Sequence, residues 1–177
     1  MSQTYISLET ERLLLTPSSL DDAAFMLTLL NTPKYIQFIA DRNVRTLDDA
    51  AAYVRNRMLP QLEKLGFSNF TVSLKEDGTK IGSCGLYERE GLEIRDIGFA
   101  FLPEYEGKGY AYEAANAVKK AAFETFHQRA ICAITTRENK SSQKLIERLG
   151  LTFQKIVRIP NDPEDLLYYE FTAADYR

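Results

Sequence analysis

The chain has 177 residues, 45% of them hydrophobic and 27% charged, with a formal net charge of −3. This composition suits a single globular domain over residues 1–177 with one substantial core. The acidic balance argues against a nucleic-acid or anionic-membrane partner, which would call for a basic face. No run reaches the roughly 18–20 apolar residues of a membrane span. The opening "MSQTYISLETERLLL" lacks the basic and apolar regions of a secretory signal. Cys84 and Cys132 lie in apolar, strand-like runs without CxxC spacing and read as two buried thiols. With His127 the only histidine, no zinc site is expected. A cytoplasmic location follows from these exclusions.

In chain order, "ERLLLTP" (Glu11 to Pro17) reads as a strand ended by proline, and "SSLDDAAFMLTLLN" as a helix capped by Ser18 with Asp21 and Asp22 in its first turn. "TPKYIQFIADRNV" (Thr32 to Val44) follows as a connecting stretch. A second helix starts at Thr46 and runs to Gly66, with Pro60 expected to kink or interrupt it. "FSNFTVSLKE", "KIGSCGLYERE" and "LEIRDIGFAFL" are strand-like, separated by the turn signals "EDGT" and "EGLE". Ala111, Ala114, Ala115, Val118 and Ala122 recur at helical spacing, and "AICAITT" is a short buried strand. "NKSSQKLIERLG" is a short helix capped by Asn139 and ended by Gly150. "LTFQKIVRI" and "LLYYEFTAA" close the chain around the turn "PNDPED". The order implies an α/β fold: a mixed, mostly antiparallel sheet of about seven strands with helices on both faces.

The most informative segment is "LPEYEGKGYAYEAANAVKKAAF" (Leu102 to Phe123), where Gly107 and Gly109 immediately precede an alanine-rich helix. A strand, a glycine turn and a helix start make an anion site, because free backbone N–H groups converge there and the helix dipole favours negative charge. A Walker loop would need Lys followed by Ser or Thr after the second glycine, but Tyr110 follows Gly109. A Rossmann loop would need a third glycine at position 112, which is Tyr112.

"IGFAFLPEYEGKGYAYEA", "RENKSSQKLIERLGLTF" and "LETERLLLTP" together resemble the GNAT superfamily of N-acetyltransferases, and most closely the branch of the ribosomal-protein N-terminal (alanine/serine) acetyltransferases. The resemblance spans essentially the whole chain and is most specific from Ile97 to Phe153. It implies a GNAT fold in which two parallel strands splay apart at the site of acetyl-CoA, the co-substrate, and in which no metal takes part. The family turn Gln/Arg-x-x-Gly-x-Gly/Ala, which wraps the pyrophosphate, corresponds to Glu106, Gly107, Lys108, Gly109, Tyr110 and Ala111. Glu106 departs from it, since a carboxylate there repels the diphosphate, so its side chain is expected to turn outward with Lys108 partly offsetting the charge. By the same resemblance, Phe99 and Phe101 offer backbone groups to the pantetheine amides, a backbone N–H near Phe99 steadies the developing oxyanion, and Asn139 contacts the cofactor.

Attack of an amine on a thioester needs a base, a stabilised oxyanion and a proton for the departing thiolate. Asp96, two residues before Gly98, is the first choice of base, with Glu93 and Glu88 as alternatives. The tyrosine that many relatives place seven residues after the asparagine is replaced here by Ile146, so Ser142 is the expected proton donor. Of Tyr168 and Tyr169, which alternate faces, one should point inward. Tyr35 and Phe38, with Asp41, are candidates for the acceptor cleft. The acceptor is a primary amine: a protein or peptide N terminus, a polyamine or an amino-sugar antibiotic. A homodimer is compatible with this fold. An acetyl-CoA-binding sensor without catalysis is the competing reading; a nucleotide-dependent phosphotransferase lacks both its lysine–hydroxyl signature and a metal-binding acid pair.

Overall fold

The computed structural model describes residues 3–176. Eight strands form one sheet in the order β1-β2-β3-β4-β5-β6-β8-β7. They are β1 (Leu8–Glu9), β2 (Leu13–Pro17), β3 (Asn69–Leu74), β4 (Lys80–Tyr87), β5 (Asp96–Phe101), β6 (Ala130–Thr135), β7 (Thr152–Val157) and β8 (Leu166–Thr172). Every neighbouring pair is antiparallel except β5 and β6. The strand beyond the seven expected is β1, two residues long, which pairs Leu8 with Leu15 and Glu9 with Leu14.

The helices are α1 (Ala23–Leu30), α2 (Pro33–Phe38), α3 (Leu47–Tyr53), α4 (Leu59–Leu65), α5 (Tyr110–Glu124) and α6 (Lys140–Arg148). The cap of the first helical segment is Ser19 rather than Ser18. Ser19 accepts from Asp21 N while Asp22 reaches back to the Ser19 backbone, closing a capping box. Ser18 is buried and bonds Thr71 at 2.7 Å and Asn69 at 2.8 Å. The stretch expected to be irregular after Thr32 contains α2, capped by the Thr32 hydroxyl with Pro33 at its start.

From Thr46 to Gly66 the helix is interrupted as expected, by a π-helical turn over Val54–Met58 just ahead of Pro60. Proline lacks the N–H that would continue the ladder, and widening to i→i+5 bonding absorbs the mismatch. Gly66 ends the segment at φ 85° in the left-handed region, as a C-cap should.

Two apolar clusters hold the layers together. In the larger, Ala114, Ala115, Val118 and Ala122 of α5 pack on Leu13, Leu15, Val72, Ile81 and Leu86 of the sheet, with Phe99 and Phe101 at its margin. Small alanine side chains let the α5 backbone approach the strands closely. The smaller cluster joins Met26, Leu29 and Leu30 of α1 to Ala50 and Val54, with Ala100 and Leu102 packed against it. Because side chains alternate along a strand, Phe99 and Phe101 face α5 while Ala100 and Leu102 face α1 and α3. Both cysteines are free and buried in the sheet. No helix among the described residues is long and apolar enough to cross a membrane.

Candidate active site

The site begins where the sheet stops being continuous. β5 and β6 are in register only at Asp96 opposite Cys132, where Cys132 N donates to Arg95 O at 3.0 Å. A strand residue directs its N–H and C=O to the same side, and the side alternates along the strand. Arg95 faces β6, and Leu102, which donates to Ile81 O at 2.9 Å, faces β4. Beyond that single bridge, Phe99 and Phe101 therefore turn their backbone groups toward β6, from which β5 has parted. Such groups need water or a ligand.

A cavity of about 510 Å³ opens along this gap. Asp96, Gly98, Phe99, Ile134 and Thr135 line it from the strands, with Thr136 just past β6, and Asn139, Ser142 and Ile146 line it from the cap and body of α6. The Asn139 side-chain oxygen accepts from Ser142 N at 3.3 Å, so its cap role is real and its amide N–H₂ is left free. Thr136 is more than nine-tenths buried, yet its hydroxyl has no partner among the described residues. Burying such a group unpaired is unfavourable, and a ligand in the cavity would satisfy it.

The glycine turn lies outside the cavity, beyond the end of β5. Gly107 has φ 75° and Gly109 φ 84°, a left-handed pair that glycine adopts at no steric cost. Gly107 through Tyr112 donate no backbone N–H to a protein acceptor among the described residues; the first such bond is Glu113 N to Gly109 O at 3.1 Å. The turn is thus a row of free donors at the positive end of a 15-residue helix. Arg12 staples it to β2: Nη1 donates to Lys108 O at 3.1 Å, Nε donates to Glu113 Oε2 at 2.8 Å, and the guanidinium covers the Tyr110 ring at 4.3 Å. Burial alone would push the Glu113 carboxyl up, but bonds from Arg12 and Thr10 outweigh it and hold the group below its ordinary value.

Glu106 is exposed and ion-paired with Lys34 of α2, which gives its outward turn a partner on another element. Lys108 leans over Tyr105, with Nζ 5.6 Å from the ring centre. Free N–H donors in a nest, an open strand edge leading from it, and an unsatisfied hydroxyl deeper in the groove together fit a long ligand with a diphosphate and an amide arm, such as acetyl-CoA.

Asp96 is 2% exposed. Arg89 grips it with Nε on Oδ1 at 3.1 Å and Nη2 on Oδ2 at 3.2 Å. Burial raises its carboxyl above the ordinary value and Arg89 only partly opposes this. Glu88 also lines the cavity, but it is exposed and held by Lys64 and Arg95. Glu93 is exposed and is not part of the lining.

Tyr35 and Phe38 line the same cavity from α2. Asp41 does not; it pairs with Arg45 and borders a separate groove. Neither Tyr168 nor Tyr169 reaches the cavity. Both are buried, with Tyr168 donating to Glu170 at 2.9 Å and Tyr169 packed edge-on against Phe153. Ile146 is a buried apolar wall residue, so the position of the family tyrosine carries no hydroxyl.

Sequence reading overlooked the far wall. Arg42, Tyr53, Arg57, Asn69, Ser83, Tyr87 and Arg89 all line the cavity. The Tyr87 ring lies across Gly98, where an added Cβ would come within 2.8 Å of it, and its hydroxyl donates to Asn69 Oδ1. These residues come from α3, the π-turn, β3, β4 and two connections, and share no local motif that could have announced them.

A family model for the GNAT acetyltransferase domain matches residues 12–152. An uncharacterised N-acetyltransferase of Bacillus subtilis, YnaD, is 28% identical over 171 residues, covering 94% of this chain and 97% of its own. A crystal structure of an acetyltransferase from Agrobacterium tumefaciens superposes with TM-score 0.80 at 25% identity, over 97% of this chain and 96% of that one. RimL, a ribosomal L7/L12 alpha-N-protein acetyltransferase solved in complex with coenzyme A, has TM-score 0.81 at 13% identity, over 96% and 99%, a likeness of fold. With a parted β5–β6 pair, a free-donor glycine turn and these relatives, the chain belongs to the GNAT family of N-acetyltransferases.

Proposed function

We propose that this protein transfers the acetyl group of acetyl-CoA to a primary amine by direct attack, without a covalent enzyme intermediate. The observation that carries this reading is the order of three features along β5 and the turn that follows it. A buried carboxylate, Asp96, opens the strand, its unpaired edge follows, and the free N–H donors of Gly107 to Tyr112 lie beyond its end. Acetyl-CoA would supply the activated acetyl group, held by the turn's N–H groups, the β6-facing groups of Phe99 and Phe101, and the free Asn139 amide. The Phe99 N–H would then steady negative charge on the acetyl oxygen.

Asp96 is the proposed base. Its carboxylate keeps lone pairs beyond those used by Arg89, and its raised affinity for protons suits it to take one from the amine through water. Ser142, which lines the cavity and whose hydroxyl makes no hydrogen bond among the described residues, is the proposed donor to the departing thiolate. Tyr35 and Phe38 wall the acceptor end. An N-terminal peptide amine has the support of the fold shared with RimL; a small soluble amine fits the same wall.

The test is thiol release from acetyl-CoA with N-terminal peptides, spermidine, aminoglycosides and amino acids as acceptors, beside calorimetry of acetyl-CoA binding. Amine-dependent release is expected. A protein that binds acetyl-CoA but releases no thiol with any amine would favour the sensor reading, which the missing hydroxyl at Ile146 supports. A protein that does not bind acetyl-CoA would sink both.

A further inference from the structure

The wall of the cavity opposite the glycine turn carries more positive charge than its neighbours neutralise. Arg42, Arg57 and Arg89 all line it. Arg89 is matched by Asp96. Among the described residues, Arg42 pairs with no carboxylate; its side chain donates only to the Tyr35 hydroxyl, at 3.5 Å. Arg57 likewise pairs with none and sits in the π-turn. Arg42, Tyr53 and Arg57 also border the groove on the other side, so they form the partition between the two spaces.

Arg42 is half-buried and lies in the repulsive field of Arg89. Burial pushes the Tyr53 hydroxyl well above its ordinary value, so it stays neutral and supplies no counter-charge. A half-buried Arg42 guanidinium without a carboxylate partner among the described residues is unfavourable until an anion arrives, and the exposed Arg57 adds a second unneutralised charge to the same wall.

The acidic groups of the lining do not cancel this charge. Asp96 is taken by Arg89, and Glu88 by Lys64 and Arg95. Glu90 and Asp162 come from the β4–β5 and β7–β8 connections, while Arg42 and Arg57 come from the helical side. One space therefore offers acids from the β4–β5 and β7–β8 connections and unpaired guanidiniums from the α2–α3 connection and the π-turn, a division that suits a zwitterion.

We propose that the acceptor is a primary amine that also carries an oxyanion, a carboxylate or a phosphate, and that Arg42 and Arg57 bind that oxyanion and so select the substrate. This rests on the acetyltransferase reading above and names the class of its acceptor. Guanidinium recognises both oxyanions through paired N–H donors. The ammonium end enters past Glu90 and Asp162, and the oxyanion end docks on Arg42 and Arg57 with the Tyr35 and Tyr53 hydroxyls beside it.

The test compares matched acceptors in the thiol-release assay: aspartate with asparagine, glutamate with glutamine, phosphoethanolamine with ethanolamine, and peptides differing by Asp or Asn at the second residue. The anionic member of at least one pair should have a kcat/KM about tenfold or more above its partner, as loss of a charge-assisted pair implies. Whether the carboxylate or the phosphate pair responds identifies the oxyanion. R42Q and R57Q should each raise KM for the anionic member about tenfold and bring the ratio within its pair toward one, with R42K partly restoring it and acetyl-CoA affinity unchanged.

Arg57 is exposed in the fold, so R57Q remains informative even if R42Q misfolds. Equal turnover within every pair, turnover of neutral or cationic amines alone, or a KM unmoved by either variant would overturn the proposal. If no acceptor reacts, calorimetry of aspartate and phosphoethanolamine against the acetyl-CoA-loaded protein decides: binding lost in R57Q upholds it, and absence of binding overturns it. Failure to bind acetyl-CoA itself would instead reject the acetyltransferase reading.

Discussion

The two ends of the groove are built on different principles. The cofactor end is made of backbone: the open edge of β5, the left-handed pair Gly107 and Gly109, and the first free N–H groups of α5. The acceptor end is made of side chains, Tyr35, Arg42, Tyr53, Arg57 and Arg89, drawn from α2 to α4 and from the β4–β5 connection. A backbone site binds what is constant in the reaction and tolerates change in most of its side chains. A side-chain site can be altered one residue at a time without disturbing the strands beside it, so on the proposed function it is where acceptor specificity would reside.

The comparison is broken hardest at Gly109. G109E forces a side chain onto a residue at φ 84°, brings its Cβ within 3.3 Å of Arg12, and adds a carboxylate to a nest of donors meant for phosphate. Acetyl-CoA affinity should fall about a hundredfold or more by calorimetry, because helix-terminal anion binding is turned into repulsion. A Cβ on Gly107 meets nothing within 4 Å. G107A should therefore show only the cost of the left-handed conformation, about 1–2 kcal/mol, in its melting curve. Affinity unchanged in G109E would place the phosphates elsewhere.

Asp96 stands between the two ends. D96N should lower kcat roughly 10²–10⁴-fold and remove the acidic limb of the pH–rate profile, which in the wild type lies at higher pH than for an ordinary carboxylate. Stability should move in the opposite sense. A folded-state carboxyl with a raised pKa binds protons that the unfolded chain has already released. Its contribution to stability is thus full below the unfolded value and is lost as pH rises through the folded one. The melting temperature of D96N relative to wild type should accordingly improve from pH 4 to pH 7. A profile and a melting gap that do not change with pH would remove Asp96 from both roles.

The same division explains what could be read from the sequence. The glycine turn was legible because a backbone constraint leaves a local mark: two glycines, a lysine and a helix start within five residues. Asn139 was legible as a cap, and Pro60 as an interruption. Helix α2 was missed because none of its six residues is buried, so no apolar period betrays it; only the Thr32 and Pro33 cap pattern could have. Ser18 and Ser19 are equivalent as caps in sequence, and only the buried hydrogen bonds to Thr71 and Asn69 decide between them. Nothing in the local sequence sets Arg42, Arg57 and Arg89 apart from ordinary surface charges. Tertiary folding, including a π-turn that no propensity signals, brings them to one wall.

A milder disturbance of the cofactor end comes from its support. E113Q removes the charge and one of the two oxygens that Arg12 and Thr10 share, so the turn's tie to β2 is weakened. Glu113 is largely buried while Arg12 is half-exposed, so the expected loss is about 1 kcal/mol, or about 2–4 °C in melting temperature. Because this carboxyl is held below its ordinary value, its stabilisation is present above the unfolded pKa and is lost as pH falls through the folded one. The difference between E113Q and wild type should therefore close in acid, and acetyl-CoA affinity at neutral pH should drop about threefold to tenfold.

The smallest effect is expected where the two ends touch. Lys34 belongs to α2, the helix that carries Tyr35 and Phe38 to the acceptor wall, and its partner Glu106 opens the cofactor turn. Both side chains are substantially exposed, so the pair adds little to stability. Its effect lies in charge: Lys34 screens a carboxylate that would otherwise face the diphosphate. K34A should weaken acetyl-CoA about twofold to fivefold at low salt, and less at high salt as screening replaces the lysine. E106Q, which removes the repulsion itself, should bind as well as wild type or better. In the E106Q background K34A should cost almost nothing. If K34A costs the same in both backgrounds, Lys34 acts on the phosphates directly and the cofactor end includes a side chain of α2.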